Sequence, residues 1–426
     1  MTIYTVQPGD SVYTIARGHR VPPERIIVQN GLSNPAKLTP GQALVIQYPK
    51  QLYTVQRGDT LGDIAVKFGT TVNTLWQNNP QLGGNDRIYP GQGLIISYVQ
   101  EKIGKLAVNG YAYPNINRQV LRQTLPYLTY LSVFSYGFQP GGQLLTQNDR
   151  EIIATAHEYG VKPLMVLTTI NAQGQFSSQL AHELLNNPTE QNLLAETLRR
   201  ELTGRGYAGV DVDFEYIPQD DANAYSEFIN RLRQDLAPSG LSVMTALAPK
   251  TSADQKGLLY EAHDYSALGR ASRDVLLMTY EWGYSRSEPM AVAPIDKVEQ
   301  VLRFATSVIP PERIFMGVPN YGYDWTLPYV AGQSVARAIS NVQAIDQAIQ
   351  AGAFIQYDET AQTPYYNYWR GNAEHEVWFE DARSIRAKLL LANEYRLRGI
   401  SVWNIMQYFP QLWMVLNALF EIEKLA

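Results

Sequence analysis

The chain has 426 residues, more than one compact core usually holds, so two or three domains are expected. It carries no cysteine, only five histidines with no HExxH pair, and a formal charge of −5. These features exclude disulfides and thiolate metal sites and argue against a zinc enzyme or a nucleic-acid binder.

No stretch approaches the roughly 20 apolar residues of a membrane span, so no membrane partner is expected. The opening MTIYTVQPGD enters structure at once, with no basic or apolar leader, and no secretion signal is expected in this chain. The 28 tyrosines and 7 tryptophans suit a sugar-binding surface and equally suit a large core.

The first feature along the chain is a repeat. YTVQPGDSVYTIA (4–16) recurs as YTVQRGDTLGDIA (53–65), and each copy closes on a PGQ turn with an apolar strand, PGQALVIQ (40–47) and PGQGLIIS (90–97). Val12, Ile15, Ala16 and Leu61, Ile64, Ala65 fall at i, i+3, i+4, one face of a helix. Gly9-Asp10-Ser11 and Gly58-Asp59-Thr60 supply a turn and a helix N-cap. Each copy therefore reads as a small β-α-α-β module, 1–49 and 50–98, with too little core to be an enzyme.

These motifs closely resemble the LysM family, whose modules bind N-acetylglucosamine-containing glycans. The resemblance implies a shallow groove beside Gly9, Asp10, Ser11 and Gly58, Asp59, Thr60, with the Asn30 and Asn78 segments as its other side. Two weak sites on a short linker would raise apparent affinity by roughly 10²–10⁴-fold if both reached one polymer.

From about residue 105 apolar strands alternate with helical stretches. The strands are expected at 106–113, 128–138, 162–170, 209–217, 241–249, 274–283, 313–322 and 399–407, with helices such as 189–206 and 221–237 between them. Eight strands with helical crossovers predict an α/β (β/α)₈ barrel over 99–426. Surplus length at 323–390 predicts a small α+β insertion between the seventh and eighth strands.

The fourth strand is GVDVDFEYI, 209–217. Asp211, Asp213 and Glu215 alternate with Val212 and Phe214, so an extended chain points all three acids one way. In this barrel they would line the interior and climb toward the mouth, where active sites lie. Three acids on one inward face cannot all ionise cheaply, so at least one is expected to hold a proton, as a general acid must.

DVDFE resembles the core of the DxxDxDxE signature of glycoside hydrolase family 18, the chitinase-like enzymes. The resemblance makes Glu215 the acid/base, Asp213 the residue that orients the substrate acetamide, and Asp211 the deeper acid. Ala208 stands where the signature has its first Asp, which bears on how the pKa of Glu215 is tuned. MTYEWG (278–283) resembles the family's MxYD segment, placing Tyr280 on the acetamide carbonyl, with Glu281 for the usual Asp and Trp282 beside it as substrate contacts. Trp403 matches the tryptophan that floors the −1 sugar subsite, and Tyr111 matches an aromatic of that pocket.

Two LysM-like modules ahead of such a barrel occur in spore cortical-fragment lytic enzymes, and LAPKTSADQKG (247–257), EAHDY (261–265), YGYDWTLPY (321–329) and HEVWFEDARS (375–384) look like theirs. That likeness implies a monomeric N-acetylglucosaminidase of spore peptidoglycan, associated with the spore coat and cortex or cell wall. It would work by substrate-assisted catalysis, with no metal or organic cofactor. Two other readings stay open: a chitinase or chito-oligosaccharidase using the same residues, and a catalytically silent glycan-binding coat protein.

Overall fold

The computed structural model describes residues 1–425 apart from residue 172. In the first module, Thr2–Thr5 pairs antiparallel with Ala43–Ile46 around helices Val12–His19 and Pro23–Asn30. The second repeats the plan, Pro49–Thr54 against Gly93–Tyr98 around Leu61–Lys67 and Val72–Asn78. Ser11 and Thr60 cap the first helices, accepting from Thr14 N and Asp63 N, each at 3.1 Å. The expected helix faces meet the closing strands in two small cores, Val12, Ile15 and Ala16 on Leu44 and Ile46, and Leu61, Ile64 and Ala65 on Leu94 and Ile96.

The rest of the chain builds the barrel. Its strands are β1 (Gly104–Ala112), β2 (Tyr130–Gln139), β3 (Lys162–Thr168), β4 (Gly209–Asp213), β5 (Ser242–Leu247), β6 (Asp274–Leu277), β7 (Ile314–Pro319) and β8 (Gly399–Trp403). Each pairs in parallel with the next, and β8 pairs with β1 to close the cylinder. Strand alternation sorts the core into two layers. Val210, Val212 and Phe214 join the apolar layer under the helices, whereas Tyr111, Leu164, Val166, Met244 and Phe315 fill the interior.

The surplus between β7 and β8 is a five-stranded antiparallel sheet that runs from Gly322–Thr326 to Ala373–Trp378 and carries helix Asn341–Ala351. It ends earlier than the expected residue 390. Helix Ala382–Glu394 buries Ile385, Leu389 and Ala392 in the layer that holds Ile400 and Val402 of β8, so it is the barrel's own crossover helix.

The modules do not hang on linkers. Helix Pro410–Leu419 is buried along its whole length, its apolar side chains packed and its two amides, Gln411 and Asn417, hydrogen-bonded, and it joins the barrel to both modules. Gln411 Nε2 donates to Ala43 O at 2.8 Å and Asn30 Oδ1 at 3.1 Å, and Asn417 Nδ2 donates to Asn78 Oδ1 at 3.0 Å. Gln29 Nε2 donates to Tyr98 Oη at 3.3 Å, joining the modules to each other. Packing fixes their spacing, in place of the flexible tether behind the affinity expectation. Among the described residues no helix is long and apolar enough to cross a membrane.

Candidate active site

Strand β4 stops at Asp213, four residues short of the expected end, and the chain turns away at Tyr216, whose φ is 56°. Asp211 and Asp213 lie on the strand, and Glu215 lies in the loop just above it. The alternation still holds through Phe214, whose ring stacks on Tyr225 and Phe228 in the helix layer.

Asp211 is fully buried. Its Oδ2 accepts from the Tyr111 hydroxyl and lies 3.2 Å from Ser132 Oγ, which is also 3.1 Å from Asn109 Oδ1. The single Ser132 proton can serve only one of these acceptors. Asn109 Nδ2 in turn donates to Ser401 Oγ at 2.9 Å, so β1, β2, β4 and β8 are tied beneath the site. Burial raises the Asp211 pKa to about 6, against the pull of Tyr111 and Ser132. Below it, the Ala208 side chain joins the interior apolar cluster where the signature would put another acid.

Asp213 is buried, and its Oδ1 has no hydrogen-bond partner among the described residues. Burial first, then the charges of Glu215 and Asp211, push its pKa well above the usual carboxylate range. Glu215 is half-buried, and desolvation pushes its pKa up to about 7. The three acids therefore share too few charges to be fully ionised at neutral pH. This arrangement can deliver a proton at the barrel mouth.

Tyr280 lies just past the end of β6, half-buried, and burial together with the acid cluster keeps its hydroxyl protonated. Its ring needs Gly317 on β7, where an added Cβ would come within 2.7 Å of Tyr280 Cε1. Glu281 adopts φ of 68°, and its carboxylate accepts from the hydroxyls of Tyr321 and Tyr323. Glu281, Tyr321, Tyr323, Asn320 and Trp403 line a cavity of about 320 Å³. Trp403, at the end of β8, packs edge-on against Tyr111 at 5.3 Å and Phe134 at 5.0 Å. Trp282 is half-buried against the helix-layer core instead, and its backbone N–H donates to Val292 O at 3.1 Å.

The residues expected in the LysM grooves divide into two groups. Gly9 and Gly58 take φ of 87° and 95° with open space around them. Asp10 and Asp59 brace their own turns, accepting from Tyr4 and Tyr53 hydroxyls at 2.7 Å and from the N–H groups of Gln7 and Gln56. Asn30 and Asn78 are buried with their amides occupied, so neither side chain faces an open groove. Asn79, not Asn78, is the counterpart of Asn30. Its Nδ2 donates to Leu75 O and Ile95 O as that of Asn30 donates to Ile26 O and Val45 O.

Several site neighbours were missed in the sequence. Asn109 sits two residues before Tyr111 on one face of β1, so alternation alone could have found it. Ser132, Phe134, Tyr321 and Tyr323 carry no such local signal, because they reach the site only through strand pairing and the insertion.

Residues 128–407 match glycosyl hydrolases family 18, and residues 4–47 and 53–97 each match the LysM domain. The chain is 41% identical to the cortical fragment-lytic enzyme of Bacillus subtilis (strain 168), over 88% of this chain and 99% of that one. It is 37% identical to the cortical fragment-lytic enzyme of Bacillus anthracis, over 99% of each. The crystal structure of the spore cortex-lytic enzyme SleL from Bacillus megaterium QM B1551 superposes with a TM-score of 0.84 at 38% identity, covering 100% of this chain and 99% of that one.

Proposed function

This chain belongs to glycosyl hydrolases family 18, and from that premise we propose that it is an N-acetylglucosaminidase of spore-cortex peptidoglycan. The cortex substrate is supported by likeness to the cortical fragment-lytic enzymes over nearly the whole chain. The LysM modules support a glycan polymer as partner. The enzyme works as a monomer at the cortex or cell wall.

The observation that carries the chemistry is Glu215, a carboxyl group at the barrel mouth whose pKa lies at about 7 above two buried acids. Neutral Glu215 donates its proton to the glycosidic oxygen as the bond to the anomeric carbon breaks. The substrate's acetamide oxygen attacks that carbon from the opposite face and forms an oxazolinium ion. Asp213 and the Tyr280 hydroxyl hold and polarise the amide. Glu215, now ionised, takes a proton from the incoming water, whose oxygen opens the ring with net retention. Substrate assistance of this kind dispenses with a second protein carboxylate as nucleophile. Trp403, the aromatic at the end of β8, carries the apolar face of the sugar.

Mass spectrometry of digests separates the possible substrates. Cortex fragments should yield products ending in reducing N-acetylglucosamine, and Glu215→Gln should lower turnover by about 10²–10⁴-fold while retaining binding. Near-normal turnover by that variant would refute the mechanism. Faster digestion of chitin than of cortex fragments would refute the substrate.

A further inference from the structure

The two modules share a motif but meet the barrel differently. In both, the PGQ turn lies beside the Gly-Asp loop, because Gly41 N and Gly91 N donate to Val6 O and Val55 O. Both turns are built alike: Gln42 Oε1 accepts from Thr39 N at 3.2 Å, and Gln92 Oε1 accepts from Tyr89 N at 3.1 Å. Thr39 and Tyr89 are therefore equivalent positions.

Their surroundings are not equivalent. Thr39 and Gly41 are buried on the barrel's insertion. Thr39 Oγ1 donates to Ala353 O at 2.5 Å, Ile355 N donates to Pro40 O at 3.0 Å, and Arg383 donates to Gly41 O at 3.1 Å. A Cβ at Gly41 would sit 1.8 Å from Ile355 O, so backbone meets backbone there with no space for a ligand. Further along the same loop, Ser33 Oγ donates to Asp346 Oδ1 at 2.7 Å. In the second module the same turn is free. Tyr89 is 59% exposed, and nothing lies within 4 Å of a Cβ at Gly91 or Gly93. Tyr89 lines a cavity of about 730 Å³ with Gln81, Asn85, Arg87 and Gln92, a ring and amides suited to the faces and acetamides of sugars. Trp76 Nε1 holds one wall in place by donating to Asn85 O at 3.0 Å.

We propose that glycan binding by the N-terminal repeat belongs to the second module, at the Tyr89 cavity, and that the first module is a joint that fixes the pair to the barrel. The ligand is an N-acetylglucosamine-containing oligosaccharide. This rests on the reading of the modules as glycan binders.

The test is hydrogen exchange on full-length Glu215→Gln with and without the N-acetylglucosamine hexasaccharide, followed by peptide. Amides in 81–92 should slow at least about fivefold on binding, whereas those in 33–42 should not change. Tyr89→Ala should remove that protection, and Tyr13→Ala, on the exposed helix of the first module, should leave it intact. Ligand-dependent protection of 33–42, or no protection in either module, would overturn the division. Cleavage of cortex fragments by the unmodified enzyme is measured in parallel. Its absence would defeat the functional reading, whereas cleavage with first-module protection defeats only this inference.

Discussion

His263 Nε2 donates to the carbonyl of Phe214 at 3.1 Å, while its Nδ1 accepts from Ala248 N–H at 2.8 Å. The backbone N–H at Nδ1 dictates the tautomer, and burial drives the ring's pKa down to about 4, so it stays neutral through the working range. A buried imidazole thus ties the residue before Glu215 to the chain leaving β5. It is fully buried, so any effect on the acid runs through the Phe214 backbone.

Removing that tie should loosen Glu215. With the intact enzyme, kcat/KM should fall as pH rises past about 7, where Glu215 loses its proton. His263→Ala should cost roughly tenfold in kcat, about one hydrogen bond's worth, and move that limb of the pH profile. His263→Gln, which can donate to Phe214, should recover part of both. An unshifted limb in His263→Ala would mean the histidine only fills space.

Asp211 should leave a signature in stability. Its folded pKa of about 6 lies above the ordinary 3.8, so the folded state binds the extra proton. That preference is full below pH 3.8 and is lost as pH rises through about 6. Asp211→Asn cannot ionise, so its stability relative to the parent should rise by on the order of 3 kcal/mol between pH 4 and pH 7. Denaturant titrations of both proteins across that range give the difference. A flat difference would show that Asp211 is not the proton holder.

Gly317 should be sensitive to a single methyl. A Cβ there would meet Leu277 O and Tyr280 Cε1, each at 2.7 Å. Backbone on one side leaves the tyrosine as the part that moves. Gly317→Ala should therefore lower kcat by about 10-fold or more, because an ångström of displacement is costly in a site built for one geometry. Thermal unfolding should shift much less than activity does.

Gln411 should report on the joint between modules and barrel. Its amide serves Asn30 Oδ1, Ala43 O and Ala382 N, all buried. Gln411→Ala strips Ala382 N of this acceptor and Ala43 O of this donor, while Asn30 Oδ1 keeps its bond from Val45 N, and it should cost about 1–3 kcal/mol. Calorimetry should show one unfolding transition for the parent and an earlier, separate one for the modules in the variant.

The barrel, the two modules and the three acids were legible because each rests on a short-range rule. Period-two alternation put Asp211 and Asp213 on one face, helical spacing marked the module cores, and a 49-residue repeat marked the modules themselves. Local rules also set their errors. The 49-residue spacing sets Asn30 against Asn79, so the expectation at Asn78 fell one residue short within a run of asparagines, and the amide contacts of Asn79 match those of Asn30. Alternation carried β4 past Asp213, because nothing local announced the left-handed turn at Tyr216.

What the sequence determined by itself is therefore the set of elements and the identity of the acids, since propensity and side-chain periodicity act within a few residues. Tertiary structure alone decided the rest: His263 behind Glu215, the Asn109–Ser132 network under Asp211, and the docking of Thr39 on Ala353. These are contacts between segments far apart in the chain, and their existence depends on how the barrel closes and where its insertion folds back. The same PGQ turn became a joint in one module and an open cavity in the other, because its spatial neighbours differ, as does the residue that opens it, Thr39 or Tyr89.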